Sequence, residues 1–209
     1  MSPPPRLVLA SASPARAALL AAAGVRAEVD VSGVPEDDVT GSPAEVCLTL
    51  ARRKAEAVVG RRRRGELVLG CDSVLDVDGA AWGKPGTPQL ASQRWGVLAG
   101  RSAVLRTGHC LVAVDGGRAE AVASTTVRFG RPSPAEVAAY VASGEPLAVA
   151  GGFTLDGRGA WFVEGVDGDP SAVVGLSLPT LRGLLAALGV PVTDLWGSSA
   201  PPSEPPVPA

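Results

Sequence analysis

Apolar residues arrive along this chain in short packets, and Ser/Thr-Pro pairs separate them. The run Leu7-Val8-Leu9 passes through Ser11 into Ser13-Pro14, which reads as a buried strand handing the chain to a helix. Ser13 fits the N-cap and Pro14 the first helical position, because proline has no N–H to lose there and its φ is already helical. The same punctuation recurs at Ser42-Pro43, Thr87-Pro88 and Ser133-Pro134, and with one residue inserted at Ser177-Leu178-Pro179. Ser42 with Glu45 and Ser133 with Glu136 also fit capping boxes. These starts, with the apolar spacing after them, predict helices over 14–23, 43–59, 88–99, 134–143 and 179–188. Between them, 26–32, 66–71, 102–114 and 119–129 read as strands. Asp78-Gly79 and Asp115-Gly116 read as hairpin turns, and Asp156-Gly157 is a candidate third.

Strands alternate with helices early and pair through hairpins later, so the expected fold is α/β, a mixed sheet flanked by helices. A chain of 209 residues with 46% hydrophobic content supports one domain with a sizeable core, placed at 6–195. Residues 1–5 and the Pro/Ser-rich 197–209 are expected to be disordered tails. No apolar run reaches the roughly 18 residues of a membrane helix, and the first residues lack the pattern of a signal peptide. A soluble cytoplasmic protein is expected. Cys47, Cys71 and Cys110 form no CxxC pair, which suits a reducing compartment and argues against a zinc site. His109 is the only histidine, which argues against imidazole-rich metal sites and Ser-His-Asp triads. A net charge of −2 provides no overall field for nucleic acid. The Arg61–Arg64 run is read first as a solvated basic helix end, and second as a nucleic-acid patch.

The chemistry-bearing residues are few. Arg16 sits in the first turn of its helix, where a cation opposes the macrodipole by roughly 0.3–1 kcal/mol. A bound phosphate at the free N–H groups near Ser11 and Ser13 would turn that misfit into a partnership. The alternative is a Ser13 that merely caps and an Arg16 that points to solvent. Asp72, in "GCDS", is expected at the end of a buried strand, placed to hold a metal or polarise a water, or simply to satisfy loop N–H groups. Glu36 follows another strand-like run, and its default reading is a surface acidic loop. Of 19 basic residues, 17 are Arg, and the two lysines are Lys54 and Lys84. Lys54 lies late in a helix, where a solvent lysine is ordinary. Lys84 stands before Pro85 in "WGKP". The preceding "GAAWGK" fails as a phosphate loop, one residue short and lacking the Ser or Thr after lysine. Taken together, two lysines, a first-turn arginine and two carboxylates are the residues needed to bind a polyphosphate with a divalent metal.

"LASASPARAALL" (9–20), "LARRKAEAV" (50–58), "LGCDSVL" (69–75), "WGKP" (82–85) and "VVGLSL" (173–178) resemble, in order, the motifs of the Maf family, the septum formation inhibitor-like proteins. The resemblance implies an elongated α/β fold related to inosine triphosphate pyrophosphatases. It implies a nucleoside triphosphate pyrophosphatase that cleaves between the α and β phosphates using Mg²⁺ or Mn²⁺, acts on non-standard or modified nucleotides, and has a link to division arrest. A homodimer is also implied. By position, Asp72 matches the general base or metal-associated acid, Glu36 a metal ligand, and Ser11, Arg16, Lys54 and Lys84 the phosphate-binding set. Departures from the family pattern are Ala15 for an arginine, Ala148-Val149 for Asp-Lys, and Ser177 for a proline. Asp156 replaces the Gln of the branch acting on dTTP and UTP, and its acceptor oxygens suit the donor edge of a guanine.

The reading is therefore a metal-dependent nucleoside triphosphate pyrophosphatase. Its rivals are a non-catalytic nucleotide- or partner-binding regulator of division, docking through the Pro-rich tail, and a nucleic-acid module using Arg61–Arg64.

Overall fold

The computed structural model describes residues 5–114 and 116–196. The calls on residues 1–4, on Asp115 and on 197–209 lie outside the described residues. Strand β1 (Arg6–Leu9) leads into α1 (Pro14–Ala22), then β2 (Glu28–Val29), α2 (Pro43–Val59), β3 (Glu66–Val77), β4 (Ala80–Trp82) and α3 (Pro88–Leu98). After these come β5 (Ser102–Ala113), β6 (Arg118–Phe129), α4 (Pro134–Ala142), β7 (Val163–Asp167), α5 (Pro170–Val174) and α6 (Leu178–Ala187). One mixed sheet runs in the order β2-β1-β3-β5-β6-β7, with β4 paired to β3. β1 is parallel to β2 and β3, while the β3–β5, β5–β6 and β6–β7 pairs are antiparallel. Three strands of 12 residues each make the sheet long in one direction.

Each expected helix start is present. Ser13, Ser42, Thr87, Ser133 and Ser177 all accept a backbone N–H as N-caps, and both capping boxes close. The sheet is buried on both faces, and the period of two sorts its residues. Leu7, Leu9, Leu67, Leu69, Cys71 and Leu111 pack with Leu20, Leu181 and Leu185 of α1 and α6. Val8, Val68 and Cys110 face Ala51, Ala55 and Val58 of α2. At the far end Leu75, Leu105 and Phe129 close around Trp95 and Tyr140 of α3 and α4.

Three sequence expectations are corrected, and two elements are added. The strand of 66–71 continues to Val77, because pairing with β5 runs unbroken from Leu67 to Asp76; Asp72 is therefore mid-strand. The run 26–32 pairs only at Glu28–Val29, against Val8 and Leu9, and it goes no further because β1 ends at Leu9. Asp156-Gly157 is not a hairpin turn. Its neighbours fold into 3₁₀ turns around Glu145, whose carboxylate accepts from the Thr154 hydroxyl and the Arg158 and Gly159 N–H groups. Strand β7 and helix α5 were not anticipated, because "VEGVD" and "PSAVV" are too short to show a period.

Two glycines set the distance between α2 and the sheet. A Cβ on Gly70 would stand 2.1 Å from the Ala51 carbonyl oxygen, and one on Gly108 would stand 2.4 Å from that of Cys47. Helix backbone therefore rests on strand backbone, with no side chain between. Gly70→Ala must lift α2 or distort β3. The expected loss is about 3 kcal/mol, the upper range for overpacking a rigid core, measurable by urea unfolding; an unchanged midpoint would show that the helix yields freely.

Candidate active site

The site lies where the edge of β3 is bare. β1 pairs with β3 only as far as Leu69, and β4 takes up the same edge at Leu75. Residues 70–74 between them leave a notch open on the side where β1 ends and the α1 N-terminus begins. Adjacent residues of a strand face opposite sides of the sheet, and the two side chains in this notch do so with consequence. Asp72 faces α2 and Ser73 faces α1.

On the α2 side, Lys54 is buried at 6% exposure. Its Nζ lies 2.5 Å from Asp72 Oδ1 and 2.6 Å from Glu36 Oε1. Lys54 is therefore not the solvent lysine its helical position suggested, and Glu36 is not a free surface acid. Lys84 joins more loosely, exposed and 4.0 Å from Glu36 Oε2. The Lys84 loop is held from behind: the Gly83 carbonyl accepts from Arg94 Nη1 (2.5 Å) and from the Gly151 N–H (3.1 Å), and the Arg94 guanidinium lies over the Trp82 ring.

On the α1 side, Arg16 is buried rather than pointing to solvent. Nε donates to the Gly175 carbonyl at 2.7 Å, Nη1 to Ser11 Oγ at 2.9 Å and Nη2 to Ser73 Oγ at 3.2 Å. A guanidinium has five N–H bonds, so one on each terminal nitrogen is left over. Ser11 Oγ also accepts the Ser13 N–H at 3.2 Å. With both its lone pairs engaged, the Ser11 hydroxyl proton is available for an outside acceptor. Two guanidinium N–H groups and one O–H thus remain as donors, which suits phosphate oxygens.

The electrostatics agree with an anion site. Burial is the largest influence on Asp72 and holds its carboxyl above the ordinary value, against the charges of Lys54 and Arg16. For Glu36, burial pushes upward but is outweighed by the Lys54 hydrogen bond and the charges of Lys54, Lys84 and Arg16, so its carboxyl is lowered. Three cations face two carboxylates, leaving an excess positive charge before any ligand. Asp72 and Glu36 are hard oxygen donors that one ammonium already bridges, which is the donor chemistry Mg²⁺ or Mn²⁺ requires. Among the described residues no group of three or more His, Cys, Asp or Glu converges on a metal position, so a cation here would draw its other ligands from substrate and water.

Asp156 stands apart. It is exposed and makes no hydrogen bond or ion pair with the cluster among the described residues. Ser73, Thr107, Gly175 and Arg94 were missed in the sequence. Thr107 alone left a signal there, a polar residue at an inward position of an apolar strand. His109 is core. Its Nε2 accepts the Ser177 N–H at 2.9 Å, bracing the start of α6. Arg61 and Arg62 are ion-paired with Asp30, and Arg62 also with Glu28 and Glu66, so half of the basic run is neutralised locally. No helix among the described residues is long and apolar enough to cross a membrane.

The fold is that of an α/β protein, a mixed sheet with a notch of lysines, arginine and carboxylates at its edge. The family model described as "Maf-like protein" matches residues 6–188, and the chain belongs to that family. A nucleoside triphosphate pyrophosphatase of Streptomyces coelicolor is 57% identical over 201 residues, covering 94% of this chain and 98% of the relative. One from Salinispora tropica is 57% identical over 208 residues, covering 96% and 92%. A solved structure of a nucleoside-triphosphatase / dITP/XTP pyrophosphatase from Mycobacterium abscessus aligns over 61% of this chain and 75% of that one. Its TM-score is 0.36 and its identity 17%, too low to bear on the fold.

His109 gives the site region an acid sensitivity. Burial first, and the Arg16 charge second, push its imidazole down to about 4 from the usual 6.5. Between those values the unfolded chain binds a proton that the native chain excludes, so stability falls as pH falls. At about 1.4 kcal/mol per pH unit, the expected loss between pH 6.5 and 5 is roughly 2 kcal/mol. Denaturant melts across this range should show a shallower slope for His109→Gln; an identical slope would place the proton elsewhere.

Proposed function

We propose that this chain is a nucleoside triphosphate pyrophosphatase, hydrolysing the α–β anhydride to a monophosphate and pyrophosphate. The observation that carries the reading is Lys54 bridging Asp72 and Glu36 in a notch where Arg16 and Ser11 keep three donors unspent. The close similarity to curated relatives with that name supports it.

Arg16 and Ser11 receive phosphate oxygens from the α1 side. Lys84, exposed at the mouth of the notch, meets the outer phosphates, and phosphate oxygens compete with the carboxylates for the Lys54 ammonium. Asp72, with its carboxyl raised by burial, accepts a proton from the water that attacks the α-phosphorus. The α–β bridging oxygen leaves with pyrophosphate, its charge met by the fixed cations. Glu36 and Asp72 are the residues that would hold a divalent cation, which when bound neutralises phosphate charge. Asp156 is assigned to base recognition, with a modified or non-standard guanine the class its acceptor oxygens favour.

Purified protein with Mg²⁺ or Mn²⁺ should convert a triphosphate panel to monophosphate and pyrophosphate. Release of inorganic phosphate alone would overturn the reading, as would turnover indifferent to chelators. Asp72→Asn should lower kcat by at least about 10²-fold while keeping the fold. In the native protein kcat/KM should fall on the acid side at a pH above the ordinary carboxylate value of 3.8. A profile flat to about pH 4 would remove Asp72 from the proton-accepting role.

A further inference from the structure

The Arg16 guanidinium is tethered at all three nitrogens by other parts of the chain, and one of these tethers leads inward. Ser73 Oγ accepts from Arg16 Nη2 and lies 2.9 Å from Thr107 Oγ1, its direct cross-strand partner on β5. Thr107 is fully buried, and its hydroxyl donates to the Ala172 carbonyl of α5 at 3.0 Å. That last bond fixes the polarity of the row. A carbonyl only accepts, so the single Thr107 proton is committed to Ala172. Ser73 must then donate to Thr107, which turns a Ser73 lone pair toward the guanidinium. If Thr107 donated to Ser73 instead, Ser73 would accept from both Thr107 and Arg16, and the Ala172 carbonyl would keep only the Gly175 N–H.

We infer that Ser73 and Thr107 are positioning residues for Arg16: a hydroxyl relay anchored on the Ala172 carbonyl that holds the guanidinium plane so its two spare N–H groups face the substrate phosphates. The inference rests on the pyrophosphatase reading above and adds to it the device that aligns one of its cations. The second anchor comes from the same segment. Arg16 Nε donates to Gly175, three residues beyond Ala172, so this segment holds the guanidinium directly at Nε and, through Thr107 and Ser73, at Nη2. Gly175 has φ +120°, where an L side chain is strained, and a Cβ there would lie a tight 3.3 Å from Arg16 Nε, so glycine suits the point where the backbone meets the arginine. Serine and threonine suit the relay because each must accept and donate at once; valine fills the Thr107 site without doing either.

The test is steady-state hydrolysis of a triphosphate by the native chain, Thr107→Val, Thr107→Ser, Arg16→Lys and the Arg16→Lys/Thr107→Val double variant. Thermal unfolding of each is measured in parallel. Thr107→Val should lower kcat about tenfold, as expected for a misaligned cation, with a small change in KM. Thr107→Ser should recover most of that loss. Lysine at position 16 has no planar fork to align, so adding Thr107→Val to Arg16→Lys should cost less than about twofold more. Full multiplicative loss in the double variant would overturn the relay, as would Thr107→Val turning over like the native chain. If Thr107→Val does not fold, Ser73→Ala with Ser73→Thr as its rescue puts the same question at the less buried end. Native protein that hydrolyses no triphosphate would overturn the functional reading and this inference together, whereas native turnover with an unaffected Thr107→Val overturns the inference alone.

Discussion

The constraint on which the rest depends is the contact of helix backbone with strand backbone at Gly70 and Gly108. Lys54 is on α2 and Asp72 is on β3, and the two glycines flank that carboxylate, one two residues before it and the other directly across the ladder. Any side chain there would push α2 away. A lysine reaches several ångströms and would follow, but it would then swing through many rotamers over a gap that water fills. With the helix seated, the ammonium is buried and its choices reduce to the carboxylates that meet it. The energetic significance lies less in the ion pair, whose Coulombic gain is set against desolvation, than in the loss of alternatives.

A second constraint is the single strand that serves both sides of the site. Asp72 and Ser73 are consecutive, and the pleat sends one to each face. The cation brought by α2 and the cation brought by α1 are therefore referenced to neighbouring Cα atoms 3.80 Å apart on a strand paired with β5 throughout this stretch. Relative movement of the two helices is resisted at one place. The notch exists because β1 is short: had it paired with β3 beyond Leu69, the edge at 70–74 would carry a ladder instead of standing open.

Local rules were legible in the sequence, and distant ones were not. Ser/Thr-Pro pairs fixed the helix starts because capping is settled within four residues. Arg16 stood out as a misfit in its own first turn, and the structure explains it by partners at Ser73 and Gly175, both far away in the chain. The burial of Lys54 was hidden for the same reason, since a helical lysine is solvated unless the sheet below it has glycines at the right registers. Gly70 and Gly108 looked like ordinary strand glycines, and only the ladder reveals that they lie under one helix. The Asp156-Gly157 turn was misread because the pair is a turn signal wherever it occurs; what decides its type is Glu145, which gathers the following N–H groups into a 3₁₀ turn.

The choice of lysine over arginine at position 54 follows from this geometry. In a chain that uses arginine for 17 of its 19 basic residues, the buried bridging cation is a lysine. A guanidinium would spread its nitrogens over the surrounding carboxylates and settle as a permanent structural clamp, as Arg62 does with one nitrogen each to Glu28, Asp30 and Glu66. An ammonium is a compact charge with three rotatable donors, able to pass from carboxylate to phosphate without losing a planar fit. At position 16 the requirement is reversed. There a planar group has three of its five N–H bonds tied to Gly175, Ser11 and Ser73, which holds it in one orientation. The two faces of β3 therefore carry different kinds of cation, a tethered planar fork on the α1 side and a compact ammonium on the α2 side.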